Sequence, residues 1–290
     1  MPNSQGKTKS ILQSVLKKIK PLQKEQENDK KFAEQLVEKI RSLEGKHVEV
    51  VLAGSVARNT HLKEDKDIDV FMLFPPTVNE NELEAHTAKI ADQVFGRKKW
   101  EKAFSQHPYA RGKIGEHTVE IVPSYKVENA DNLKSAVDRS PLHAKYIAQK
   151  LSEKQKDEVR LLKQFLKGIQ AYGAEIKTES VPGYVTELLT LQYGAFIEAL
   201  KAASNWKKHE FIDVEKLSDE NAARKMFESP LIIIDPVDKN RNVAAALSLN
   251  QMCRFIAASR GFLKKPSEKF FFRHTQKNLA LGEIRKRLEK

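Results

Sequence analysis

Residues 54–69 read GSVARNTHLKEDKDID, and the fold turns on the two halves of that stretch. Upstream, His47-Val48-Glu49-Val50-Val51-Leu52 alternates and then runs β-branched, which predicts a strand. Gly54 at its end permits a sharp turn and close backbone approach by a ligand, and the amides that follow can open a helix toward an anion such as phosphate. Ser55 can donate to a phosphate oxygen, and Arg58 adds a charged fork. Downstream, DIDVFMLF predicts a second strand over residues 67–74, stopped by Pro75-Pro76. Strand side chains alternate, so Asp67 and Asp69 share one face while Ile68 and Val70 enter the core. Two carboxylates on one face repel, and a hard cation such as Mg²⁺ relieves that repulsion by taking oxygen ligands. Taken singly, each half has a plainer reading: a loop-to-helix turn and an exposed acidic edge.

A third acid ties the halves together. Glu120 lies within Thr118-Val119-Glu120-Ile121-Val122, with Val119 and Ile121 on the opposite strand face. If that strand neighbours the first acidic one, Glu120 joins Asp67 and Asp69 as metal ligand or general base. Around this nucleus, Ile11, Val15 and Ile19, then Phe32, Leu36, Ile40 and Leu43 recur at helical spacing, broken at Pro21. Further helices are predicted over 80–95, 131–151, 155–172, 184–203 and 243–260. A strand pair is predicted over 103–124, turning between Gly112 and Gly115, and a short strand over 231–234. The helix over 184–203 is apolar on nearly every face, so burial is expected. The fold class is α+β: a mixed sheet with helices, then a mainly helical half.

The chain carries 51 Lys and Arg against 39 Asp and Glu, a formal charge of +12 over 290 residues. Residues 1–24 hold six Lys and no acid, and residues 260–290 hold ten Lys or Arg and three Glu. The middle, 25–259, therefore sums to −1, a neutral body with two basic ends. Such a distribution suggests a polyanionic partner, most simply nucleic acid. A mean hydropathy of −0.55 and the lack of an apolar run near the roughly 20 residues needed to span a bilayer exclude a membrane protein. Cys253 stands alone, so neither a disulfide framework nor a cysteine zinc site is expected. The first residues lack a secretory signal core, and a cytoplasmic location is the expectation.

The ordered set Gly-Ser-x-x-Arg-Asn-Thr, Asp-Ile-Asp-Val-Phe and Val-Glu-Ile-Val-Pro-Ser-Tyr-Lys resembles the polymerase-β-type nucleotidyltransferases. With Ser135–Pro141, Glu158–Lys163, Tyr172–Glu175 and Asp235–Asn242, it is more narrowly similar to the class I, archaeal-type CCA-adding enzymes, over residues 45–275. The resemblance implies template-independent addition of CMP, CMP and AMP from CTP and ATP to the 3′ end of tRNA. It implies Mg²⁺ held by Asp67, Asp69 and Glu120, and a triphosphate held by Gly54, Ser55 and Arg58. It also implies that His143, Lys163 and Tyr172 contact the nucleotide and that Arg241 reads the base edge. Domains are expected at 1–130 (N-terminal helices and palm), 131–259 (helical nucleotide-binding domain) and 260–290 (start of a basic RNA-binding region). In that last region Lys264, Lys265, Lys269 and Arg273 are the expected phosphate contacts.

Two departures from the family pattern stand out. Asp67 replaces a frequent Glu and Glu120 a frequent Asp, which keeps both carboxylates. Family members also continue into further tRNA-gripping domains, so a shortened or naturally minimal form is expected. Two other readings remain open: a different RNA nucleotidyltransferase of poly(A) polymerase type, and an inactive RNA-binding remnant of the fold.

Overall fold

A computed structural model describes residues 3–44, 48–104, 108–173 and 178–272. Helices α1 (Asn3–Ile19) and α2 (Gln23–Glu44) lead into a sheet of five strands: β1 (Glu49–Ala53), β2 (Asp67–Phe74), β3 (Trp100–Phe104), β4 (Pro108–Ile114) and β5 (His117–Tyr125). Their spatial order is β1-β2-β5-β4-β3. Strands β2 and β5 run parallel with Asp69 opposite Glu120, and every other neighbouring pair is antiparallel. A parallel pair needs a crossover, supplied by α4 (Glu80–Phe95) with β3 and β4. One sheet face is dry: Ile68, Val70, Met72, Val119 and Ile121 pack against Leu36 and Ile40 of α2 and Ile90 and Val94 of α4. The acids therefore fall on the other face, as the period-two pattern demands.

The helical half comprises α5 (Arg139–Lys150), α6 (Glu153–Gly168), α7 (Gly183–Tyr193), α8 (Phe196–Ala203), α9 (Glu220–Met226) and α10 (Leu249–Lys264). Between Gly54 and Ala57 the chain makes one further helical turn, α3. A second core centres on Phe165, whose ring meets Phe196 at 5.5 Å, Phe271 at 5.6 Å and Phe262 at 5.8 Å. Val15 and Ile19 of α1 are buried in this second core, whereas α2 packs under the sheet. A small sheet, β6 (Glu210–Ile212), β7 (Leu231–Asp235) and β8 (Asp238–Asn242), completes this half.

Several expectations are corrected. The helix over 184–203 is two helices, because Gly194 adopts φ +81° and closes α7 with its amide on the Thr190 carbonyl. Residues 131–138 form two 3₁₀ turns, not helix, because the buried Asp138 carboxylate takes the amides of Tyr125, Lys134 and Ser135 and the hydroxyls of Ser124 and Ser135. The last helix starts at Leu249 rather than Val243. Asn242 Oδ1 accepts from the amides of Ile233 and Ala244 and turns the chain, and Ser248 caps the helix. The strand pair over 103–124 is three strands, reversing at Gly115-Glu116. His47 of the first expected strand lies outside the described residues.

Candidate active site

Gly54 follows β1 at φ +68°. A Cβ there would fall 1.6 Å from Asp69 Oδ2, since Ala53 pairs with Asp69 across the sheet. Glycine is thus required twice, by backbone conformation and by the neighbouring carboxylate. Ser55 is the second residue of the turn, and its carbonyl accepts from the Thr60 amide. Helix α6 braces the loop beyond. Arg160, fully buried, donates to the carbonyls of Asn59 and His61 and to Asn59 Oδ1, and Lys163 Nζ donates to the Thr60 carbonyl (3.1 Å) and hydroxyl (3.2 Å).

Arg58 Nε donates to Glu187 Oε1 at 2.9 Å, and the Thr60 hydroxyl donates to the same oxygen at 2.8 Å. Glu187 comes from α7 and is fully buried, so the two halves of the chain meet through charge at this point. Burial lowers the Lys163 amine to about 8, opposed by the Glu187 charge. Tyr172 follows α6, pairs with Val181 as an isolated bridge, and packs its hydroxyl against Gly183. Its phenol is pushed up by burial.

Asp69 and Glu120 line a cavity of about 400 Å³ together with Gly54, Arg58, His143 and Tyr184. Asp67 stands on the same strand face toward solvent. Burial and then the Asp67 charge raise the Asp69 carboxyl, against Arg58 and Lys163. Burial and the Asp69 charge lift Glu120 to about 7, although Arg111 Nε lies 3.5 Å from its Oε1. The three carboxylates share a face without being drawn together, and among the described residues no group of three His, Cys, Asp or Glu is gathered so as to hold a metal ion. Their chemistry nonetheless suits one: hard oxygen donors, of which Asp69 and Glu120 are raised first by burial and then by a neighbouring carboxylate's charge, a repulsion that a divalent cation relieves.

His143 and Arg241 reach the site differently. His143 lines the cavity, stacked on Tyr184 with centroids 4.0 Å apart, while Arg241 is joined to it through Asp235, which takes His143 Nε2 at 2.8 Å and Arg241 Nη1 at 2.9 Å. Lys264 ends α10, and Lys265 and Lys269 line a separate groove beside Phe270. Arg273 lies outside the described residues. Reading the residues alone overlooks Glu187, Asp235 and Tyr184. The available signal for Glu187 is a single acid inside an otherwise apolar helix, which must find partners when buried.

Residues 33–143 match the nucleotidyltransferase domain family, and residues 157–272 match the family described as tRNA nucleotidyltransferase, second domain. The chain is 43% identical over 279 residues to a CCA-adding enzyme of Methanocaldococcus jannaschii, covering 92% of this chain and 62% of that protein. It is 42% identical over 265 residues to a CCA-adding enzyme of Saccharolobus shibatae, covering 90% and 61%. In both of its domains the chain is similar to the CCA-adding tRNA nucleotidyltransferases. It spans about three fifths of the length of these relatives. Among solved structures, a cytoplasmic RNA terminal U-transferase superposes with TM-score 0.68 at 14% identity, covering 92% of this chain and 98% of the other. CdnC with ATP from E. coli MS115-1 gives TM-score 0.65 at 18%, covering 91% and 94%. At those identities the likeness is one of fold, the α+β palm followed by a helical domain. The likeness to nucleotidyltransferases and CCA-adding enzymes implies dependence on a divalent metal.

Proposed function

We propose that this chain adds CMP, CMP and AMP from CTP and ATP to the 3′ end of tRNA. The observation that carries the reading is the register Asp69 opposite Glu120 on parallel strands, beside Gly54 and Arg58 in one cavity. Asp67, Asp69 and Glu120 would hold the divalent ions, Mg²⁺ in our reading, and such ions supply charge neutralisation and a lowered hydroxyl pKa. Ser55, Arg58 and Lys163 hold the triphosphate from the loop and α6, with Tyr172 backing Lys163. The RNA 3′-hydroxyl attacks the α-phosphorus, its proton passes to Glu120 or to water, the bond to the bridging oxygen breaks, and pyrophosphate leaves. His143 and Arg241 face the base. Palm (1–130) and helical domain (131–259) would thus share one nucleotide, and Lys264, Lys265, Lys269 and Arg273 would take tRNA phosphates. No described helix is long and apolar enough to cross a membrane, and a reaction on tRNA accords with a cytoplasmic location.

The test is incubation with tRNA lacking its 3′ end and labelled CTP or ATP. Ordered addition ending after one A is expected. A long A tail would indicate a poly(A)-type polymerase, and no addition an inactive remnant. Asp69→Ala should abolish incorporation with the fold intact, and substantial residual addition would sink the assignment.

A further inference from the structure

Behind the two rings that line the cleft, His143 and Tyr184, lies a carboxylate with no part in the chemistry above. Asp235 closes β7 and is fully buried. It gathers donors from three elements and its own turn: His143 Nε2 of α5 at 2.8 Å, Arg241 Nη1 of β8 at 2.9 Å, the Tyr184 hydroxyl of α7 at 3.4 Å and the Val237 amide at 3.2 Å. Surface ion pairs do not converge in this way; a buried carboxylate needs its donors, and here the donors include two side chains of the cleft wall.

We infer that Asp235 is the positioning residue that sets nucleobase choice, by holding His143 as a hydrogen-bond acceptor and Arg241 as a donor beside it, a step that rests on the proposed use of CTP and ATP. An ionised carboxylate only accepts, so His143 must carry its proton on Nε2. Burial keeps the imidazole neutral, against the pull of Asp235, and Nδ1 is then a bare lone pair that bonds no described residue. The stack on Tyr184 at 23° fixes the ring plane. An acceptor matches the exocyclic amino groups of cytosine and adenine and opposes the carbonyls that uracil and guanine carry at the same edge. One chemical preference therefore covers both nucleotides of the sequence CCA. Among the described residues the guanidinium of Arg241 is tied at Nη1, to Asp235, which leaves further donors of its fork for ring nitrogens or carbonyls.

The test is Asp235→Asn. An amide both donates and accepts, so it no longer dictates the His143 tautomer or pairs with Arg241. The preferences for CTP over UTP and for ATP over GTP, as kcat/KM ratios on tRNA lacking its 3′ end, should each fall at least ten-fold. A uniform loss with all four nucleotides, ratios intact, overturns the inference and marks Asp235 as merely structural. A second measurement does not depend on the variant folding: ¹⁵N chemical shifts of the His143 ring in the wild-type protein at pH 7 should show Nε2 protonated and Nδ1 bare. The opposite tautomer or a doubly protonated ring overturns it. Wild-type protein with no preference for C and A overturns the reading beneath as well, whereas a wild-type preference retained in Asp235→Asn overturns this step alone.

Discussion

Glu120→Gln keeps the size of the side chain on β5 and removes its charge, and the consequence for stability can be worked from the site. In the folded chain burial and the Asp69 charge lift this carboxyl to about 7, against 4.5 for the unperturbed group. A carboxyl whose pKa is higher in the folded state binds its proton more tightly there. It therefore supports the fold fully below pH 4.5, loses that support as pH climbs from 4.5 to 7, and leaves a constant cost above. A shift of about 2.5 units corresponds to ~3 kcal/mol, and the side chain is only 24% exposed, so solvent screening trims little. Without divalent metal, Glu120 should cost ~3 kcal/mol at pH 8 and less than ~1 kcal/mol at pH 5.

Urea unfolding in EDTA, followed by circular dichroism at both pH values, reads this directly. Glu120→Gln should be more stable than wild type at pH 8 by up to ~3 kcal/mol and nearly equal to it at pH 5. The slope that remains in the variant comes from the other shifted groups, Asp69 with its raised carboxyl and His61 and His143 with their lowered imidazoles, so the difference between the two proteins is the quantity that reports Glu120. Excess divalent cation at pH 8 should restore much of the wild-type deficit and little of the variant's. A variant that keeps the full wild-type slope between pH 5 and 8 would refute the placement of Glu120 in the acidic cluster.

Gly54→Ala must adopt φ +68° and displace the Asp69 carboxylate. A stability loss of roughly 1–2 kcal/mol from the backbone alone and a fall in nucleotide addition on the order of 100-fold are expected, measured by denaturation and primer extension. Lys163→Met removes a buried cation from the proposed triphosphate cradle and should raise KM for CTP and ATP alike by about ten-fold, near 1.4 kcal/mol; equal KM values would place Lys163 outside it. Replacing Lys264, Lys265 and Lys269 together with Gln should lower the slope of log affinity against log salt for tRNA by up to roughly 2 to 3, with binding titrations at several salt concentrations as the check. An unchanged slope would leave those lysines as a solvated surface.

What could be read in advance depended on whether position along the chain sufficed. The acid face did, because period-two alternation in DIDVF and TVEIV puts Asp67, Asp69 and Glu120 opposite residues that must be dry, and only the pairing of the two strands needed three dimensions. Elements decided by a single local interaction were harder. The periodicity over 184–203 runs through Gly194, whose left-handed backbone ends α7, and the apolar spacing after Asp131 hides the Asp138 carboxylate that holds 3₁₀ turns instead. Strands β6 and β8 are short and, in β8, polar, so neither alternates long enough to stand out. The partners of Glu187 and Asp235 are hidden for another reason: Glu187 lies 127 residues from Thr60 and Asp235 lies 92 from His143. Arg58 and Thr60 of the first half close on Glu187 of the second, Lys163 of the second closes back on Thr60, and His143 is tied to Arg241 through Asp235. Of the ion pairs here, Arg58–Glu187 sets a cation of the first half on a buried acid of the second, while Arg241–Asp235 lies within the second half. The loop that carries Arg58 and Thr60 is therefore held by an acid that arrives only when both halves have folded against each other, and composition alone has no means of telling that pair from any other Arg and Glu of the neutral middle.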